Sequence, residues 1–399
     1  MGIYAGLKVL ELADDIPGAV AGLACSTRGA EVIKVEPPEG DPLRHVASYE
    51  TGESRLFQAL NRGKRSVVIE PSEDGNRLLE RIARDCDIVI ASRARRAPTF
   101  AIDEARVREA HAGLIYVEVS AFGDKGPWAD RYANELVMQA FSGAIMAERK
   151  TRPDGVTPAT ICSTRFSEHG AGLMMSIGIA AALLHRERTG EGQRVTTSLL
   201  HALLMLQGGR SVENEMADAR TLPVRQALLD ARAAGQGFRT LIRPERVIIN
   251  PYYRAYQTRD GAMFVGALTR GLRDKARAAL ETDLMLRDDP DWDPKNPDHM
   301  AKAAEQQAEI ERRVKLRTTA EWIEILEHAG VPTGEVVFPE DMVDTPHVRE
   351  NEYLIDVLHP TAGKLLQVAP PIRYGRWPTY DARPSPTKGS DTAKVLGRY

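Results

Sequence analysis

The sequence predicts an α/β fold: a parallel sheet domain, then a smaller α/β domain. Three observations predict it. Short apolar, β-branched segments recur through the first third of the chain with amphipathic stretches between them. A long apolar helical run follows them, and the strand and helix pattern restarts near Tyr252 after a polar interval. Strands alternating with helices pair in parallel and are covered on both faces. The chain has 399 residues, against roughly 100–200 per domain. Its 43% apolar and 27% charged residues suit a folded protein with a real core.

Taken in order, Leu7–Leu12 (LKVLEL) reads as a strand, Ala19–Arg28 as a helix and Glu31–Val35 (EVIKV) as a second strand. Val67–Ile69, Asp87–Ile90 and Leu114–Val119 are further strands, with helical Gly75–Asp85 and Ile102–Ala112 between them. Gly172–Leu184 is apolar but shorter than the roughly 17–25 residues that cross a bilayer, so it reads as a buried core helix. Arg186–Gln193 is a polar turn around Gly190 and Gly192, after which Val195–Leu206 resumes the apolar pattern. The first part of the large domain is thus residues 1–207.

Residues 208–250 read as a linker or crossing arm, because Ser211–Ile249 is polar and helix-compatible, with little strand signal before Val247–Ile249. Residues 251–335 form the smaller domain. It opens with Tyr252–Gln257, the Asp260-Gly261 turn and the Ala262–Val265 strand, and it includes the helical stretch Met300–His328. Leu284–Asp298 within it is an acidic, proline-punctuated loop. Residues 336–399 form a return segment that completes the large domain, with Pro370-Pro371-Ile372 closing back on it and a loop-like tail from Pro378.

Composition excludes several function classes. With 53 Lys+Arg against 56 Asp+Glu the net charge is −3, so no global field holds a nucleic acid or an anionic membrane, and any basic site is local. Cys25, Cys86 and Cys162 are far apart and without C-x-x-C spacing, which indicates neither a disulfide framework nor a metal site and fits a reducing cytoplasm. Met1–Leu10 lacks the charged start and apolar middle of a signal peptide. No G-x-G-x-x-G follows the first strand, where the chain reads Asp14-Asp15-Ile16-Pro17-Gly18-Ala19. P-loop, zincin and G-x-S-x-G motifs are also missing.

A set of local phrases remains. Gly29–Glu36 (GAEVIKVE) precedes Gly40-Asp41-Pro42-Leu43-Arg44, Asn61-Arg62-Gly63-Lys64-Arg65-Ser66 opens a strand, and Phe122-Gly123-Asp124-Lys125-Gly126-Pro127 forms a loop. Gly178–Leu184 leads into Arg186-Glu187-Arg188-Thr189-Gly190-Glu191-Gly192-Gln193, and Asp260-Gly261 and Ala329-Gly330-Val331-Pro332 follow. In this order the phrases resemble the family III CoA-transferases, the group that includes formyl-CoA transferase, carnitine CoA-transferase and α-methylacyl-CoA racemase. The R-x-R-T-G-x-G-Q turn is the most specific of them.

The resemblance implies a Rossmann-like large domain built from both chain ends, a small domain between them, and an interlocked homodimer. It also implies an acyl-CoA:carboxylate CoA-transferase that works through a carboxylate-bound covalent intermediate, with coenzyme A as acyl-CoA substrate and product and a carboxylic acid as acceptor. The family's nucleophile is an Asp four residues ahead of a Gly in the helix before R-x-R-T-G, and counting back from Gly172 reaches Glu168 instead. A carboxylate at a helix start faces free N–H groups and the positive end of the dipole, which keep it ionised and able to attack a thioester. Glu is one methylene longer than Asp, and near 1 Å of misplacement can cost about a hundredfold. His169 beside it is a candidate acid or base. Glu135 matches a recurrent acidic position of the family, with structural pairing as the alternative.

The phosphates of CoA need a local cluster of Arg or Lys. The candidates are Lys34, Lys64, Arg93, Arg96, Lys125 and Arg131. The family's E-N-F-R-P-G loop is here Ala91–Arg96 (ASRARR), more basic and without the Asn-Phe pair. Two other functions stay open. One is a CoA-ester isomerase or racemase, although the racemase branch has a His before its acidic residue where this chain has Asn134-Glu135 ahead of Ser142-Gly143. The other is a non-catalytic CoA-binding member that assembles with an active paralogue.

Overall fold

The computed structural model describes residues 2–46, 53–148, 150–154, 157–161, 164–211, 214–219, 222–235, 250–293, 296–376 and 383–399. The chain divides into two compact units, Met1–Leu241 with His347–Tyr399, and Ile242–Pro346.

The first unit is built on β1 (Lys8–Glu11), α1 (Ile16–Ser26), β2 (Glu31–Glu36), α2 (Arg55–Leu60), β3 (Arg65–Val68), α3 (Glu73–Arg84), β4 (Ile88–Arg93), α4 (Glu104–Ala110) and β5 (Ile115–Ser120). Then come α5 (Glu135–Phe141), α6 (Ala144–Glu148), α7 (Phe166–Thr189), β6 (Arg194–Ser198), α8 (Leu199–Leu206), α9 (Glu215–Asp218) and α10 (Leu222–Ala233). The six strands form one parallel sheet in the order β3-β2-β1-β4-β5-β6. Strand order reverses at β1, so the crevice between the carboxyl ends of β1 and β4 is the topological switch point, where open α/β sheets bind ligands.

Alternation along the strands fills two cores. Val9, Val32, Ile88, Ile90 and Val117 pack against α1, α7 and α8 through Ala21, Met175, Ile179 and Leu203. Leu10, Ile33, Val67, Val89 and Tyr116 face the other way, onto Leu79 and Ile82 of α3 and Val107 of α4. Burial pushes the free thiols of Cys25 and Cys86 up to about 12, which makes them inert core residues; Cys162 lies outside the described residues.

Helix α7 extends beyond its apolar run at both ends, and it is the one helix among the described residues long and apolar enough to cross a membrane. Gly190 ends it at φ 77°, a left-handed conformation that suits glycine. Leu173, Ile177 and Leu184 are each more than half exposed, so the helix expected to be a buried core helix buries one face and leaves another uncovered. Gly172 lies on the packed face, where an added Cβ would stand 2.6 Å from the Cβ of Val20 and 2.8 Å from the carbonyl of Pro17. The backbone of α7 therefore seats directly against the first turns of α1.

In the second unit β7 (Tyr253–Gln257) and β8 (Ala262–Gly266) form an antiparallel hairpin through the Asp260-Gly261 turn, followed by α11 (Arg270–Ala279), α12 (Pro297–Val314), α13 (Thr319–His328) and β9 (Thr333–Glu335). Its core gathers Tyr252, Met263, Val265, Trp322 and Leu326. The helix expected over Met300–His328 is two helices, because Thr318 and Glu321 form a capping box that restarts the chain. The strand signal at Val247–Ile249 lies outside the described residues. Helix α14 (Pro346–Glu350) begins at the last residue of the second unit, and in the first unit it is followed by the hairpin β10 (Leu354–His359) and β11 (Gly363–Val368). Helix α15 (Thr392–Leu396) then closes on β3, where Thr392 Oγ1 accepts from the amide of Val68 at 3.0 Å.

Candidate active site

The switch-point crevice is built from the segment after β1, the end of β4 and the start of α7. After β1 the chain reads Leu12-Ala13-Asp14-Asp15, and Asp15 caps α1 by accepting from the amide of Gly18 at 3.1 Å, with Pro17 in the first turn. Its other carboxyl oxygen accepts from the hydroxyl of Ser92 at the end of β4. Asp15 is 1% exposed, and burial raises its pKa to about 6, with the charges of Asp14 and Glu168 adding to the rise against the Ser92 and Gly18 hydrogen bonds. Gly172, one turn after Glu168, seats against the carbonyl of Pro17, two residues after Asp15, so the starts of α1 and α7 adjoin.

Glu168 is in the first turn of α7 and 1% exposed. Its Oε2 accepts from Nη1 of Arg165 at 3.1 Å, while Oε1 is enclosed and makes no hydrogen bond among the described residues. A buried carboxylate oxygen without a donor is costly, and such atoms concentrate where a structure awaits another group.

The residue before α7 supplies no capping side chain; Glu135 of α5 supplies the cap instead. Its Oε2 accepts from the Ser167 amide at 2.9 Å, the Ser167 hydroxyl at 2.5 Å and the Glu168 amide at 3.1 Å, and its Oε1 from Gln139 Nε2 at 2.9 Å. Both oxygens are engaged, so Glu135 acts as a positioning residue that fixes the backbone of Glu168. The half-buried His169 has Nδ1 3.0 Å from the carbonyl of Arg165, which leaves Nε2 for other chemistry.

The basic candidates separate into two groups. Lys34 and Lys64 are enclosed in the interior: Lys34 Nζ lies 2.9 Å from Glu11 Oε1 and 2.6 Å from Asp41 Oδ2, and Lys64 Nζ 2.7 Å from Glu11 Oε2. Burial works against the charge on Lys34, but Asp41, Glu11 and Glu36 outweigh it and hold its pKa high; at Lys64 burial wins and lowers it to about 8. Neither ammonium reaches a surface, so the expectation of phosphate contacts at Lys34 and Lys64 is corrected to a structural role.

Arg93, Arg96, Lys125 and Arg131 instead gather beyond the carboxyl ends of β4 and β5. Arg93 pairs with Asp124 and Glu118 and donates to the Ala129 carbonyl at 2.8 Å; Arg96 pairs with Asp14. Lys125 is exposed, and Arg131 lies over the Trp128 ring at 5.4 Å. Trp128 packs edge-on with Phe122 and Phe141.

The sequence pattern of CoA-transferase family III matches residues 4–392. The chain belongs to that family. Curated relatives include the cinnamoyl-CoA:phenyllactate CoA-transferase of Clostridium sporogenes, 25% identical over 99% of this chain and 92% of the relative. The probable fatty acyl-CoA transferase Rv3272 of Mycobacterium tuberculosis is 28% identical over 98% and 97%. The fold matches the crystal structure of a CAIB/BAIF family protein from Brucella suis, with TM-score 0.75, 24% identity and 100% and 99% coverage. This family III CoA-transferase therefore has the expected α/β sheet, and CoA thioesters are its substrate class.

Sequence reasoning overlooked Asp15 and Ser92 in this CoA-transferase. Asp15 carried a legible signal as a capping residue ahead of Ile-Pro-Gly at the end of the first strand. Ser92 carried none, since its partner is far away in the chain. Among the described residues no cluster of His, Cys, Asp and Glu suits a metal ion.

Proposed function

We propose that the protein is an acyl-CoA:carboxylate CoA-transferase in which Glu168 is the covalent nucleophile. One observation carries the reading: a buried Glu168 at the start of α7, held by Arg165 through one oxygen, with the other free. The free oxygen attacks the thioester carbonyl carbon, the C–S bond breaks, and a mixed anhydride and CoA thiolate form. The thiolate returns to the Glu168 carbonyl and releases the donor acid, leaving a glutamyl-CoA thioester. The acceptor carboxylate attacks that thioester, and a second return of the thiolate produces the new acyl-CoA and frees Glu168.

Arg93, Arg96, Lys125 and Arg131 are the candidate CoA phosphate ligands, at the carboxyl edge where α/β sheets bind ligands. The relatives named above act on different acids, so the supported common part is transfer of CoA between carboxylic acids. Hydroxylamine trapping after incubation with acyl-CoAs, compared between the wild type and Glu168→Gln, tests the mechanism. The variant is expected to give no modified peptide; a modified peptide in the variant overturns the role of Glu168.

The protein is also inferred to be a homodimer. Support comes from the uncovered apolar face of α7, with Leu173, Ile177 and Leu184 exposed together at helical spacing. Light scattering over a dilution series is expected to hold at twice the monomer mass; a folded monomer at micromolar concentration contradicts it.

A further inference from the structure

Two buried carboxyls lie at the adjoining starts of α1 and α7, and among the described residues only Glu168 has a cationic partner. Glu168 has Arg165 at 3.1 Å and lies in the first turn of α7. Among the described residues Asp15 has only neutral donors, the Ser92 hydroxyl and the Gly18 amide. The neighbouring Asp14 is paired with Arg96 and Thr99, Glu168 at the start of α7 is paired with Arg165 and followed by His169, and Arg93 at the end of β4 is committed to Glu118 and Asp124. Helix α1 presents no ionisable group in its first turn. When two buried carboxyls share a site, the one without a cation takes the proton.

We propose that Asp15 is a second functional carboxyl of the site: it protonates the CoA sulfur as that sulfur leaves, and it takes the proton back when the sulfur returns. The step balances. As Glu168 forms its C–O bond and the C–S bond breaks, the Asp15 O–H proton passes to sulfur, giving CoA thiol in place of the free thiolate of the minimal scheme, and the Asp15 carboxylate. When the thiol attacks the anhydride, Asp15 recovers the proton. A thiol is normally near 8.5, above the value of about 6 at Asp15, so transfer to the departing thiolate is downhill. Ser92 holds Asp15 across the switch point between β1 and β4 for both directions. The proposal rests on the reading of Glu168 as nucleophile.

The test is single-turnover formation of the Glu168 adduct from pH 4.5 to 8.5, with whichever of acetyl-CoA, succinyl-CoA and cinnamoyl-CoA labels the wild type fastest. The wild-type rate is expected to fall as pH rises through about 6. Asp15→Asn keeps the cap and removes the acid, so the rate at pH 5.5 should drop by about a hundredfold and its fall near pH 6 should vanish. Ser92→Ala removes a hydrogen bond that lowers the pKa of Asp15, so its fall should move to higher pH while the adduct still forms. A wild-type rate and profile in Asp15→Asn, or an unmoved profile in Ser92→Ala, overturns the role of Asp15 and leaves Glu168 standing. Absence of any adduct in the wild type overturns both.

Discussion

The two sides of β1 treat buried charge in opposite ways. Toward β2 and β3, Glu11, Lys34, Lys64 and Asp41 are enclosed with their charges matched, and Glu36 extends the network to Arg44 and Ser66 at 2.6 and 2.5 Å. Toward β4, Asp15 and Glu168 are equally buried, yet both are acidic groups, and among the described residues Oε1 of Glu168 has no donor. The paired side holds the sheet together. The unpaired side is where a structure gives up stability to keep a group reactive.

Substitutions that reverse this contrast break it. The largest expected effect on folding is at Lys34, where Lys34→Met leaves Glu11 and Asp41 without their shared cation and should cost about 3–5 kcal/mol. Chemical denaturation checks it, and the CoA affinity of the protein that remains folded should match the wild type. A loss below about 1 kcal/mol would mean that the network is not structural.

Asp15→Asn should act in the other direction. The pKa of Asp15 in the folded chain, about 6, lies above the unfolded value near 3.9. The stability it contributes is therefore complete below the unfolded value and is lost as pH rises through about 6. Asn does not titrate, so the variant should gain on the wild type between pH 4 and 7.5, by roughly 2–3 kcal/mol. Denaturation curves at the two pH values measure the difference; a constant gap would show that Asp15 is an ordinary surface-like carboxylate.

The smallest effect on stability is expected at the basic edge. The Arg93 and Arg96 side chains are 23% and 49% exposed, so Arg93→Gln and Arg96→Gln should each cost less than about 1 kcal/mol. If they meet the phosphates of CoA, each should weaken CoA binding by about tenfold or more by calorimetry. Unchanged affinity in the double variant would remove these residues from the site.

The same contrast explains what was legible in the sequence. The parallel sheet could be read from apolar runs and the R-x-R-T-G-x-G-Q turn from its glycines, because each is a local pattern, whereas Glu168 was singled out only through the resemblance to the family. Lys34 was not legible as a core residue, since a lysine in a strand ordinarily reads as solvent-facing. Its burial depends on Glu11 lying beside it in the β1–β2 register. Nor was the capping role of Glu135, whose partners Ser167 and Glu168 are more than 30 residues away. Pairing between distant charges decides which buried carboxylates are quiet, and a sequence does not display that pairing.

The most direct test of the account is mass spectrometry of the tryptic peptide Phe166–Arg186 after incubation with a panel of acyl-CoAs and hydroxylamine. The wild type is expected to show hydroxylamine-dependent modification at Glu168, with none in Glu168→Gln, which should retain CoA binding while its CoA transfer falls by about a thousandfold or more. An unmodified peptide across the panel, together with wild-type turnover in Glu168→Gln, would contradict it.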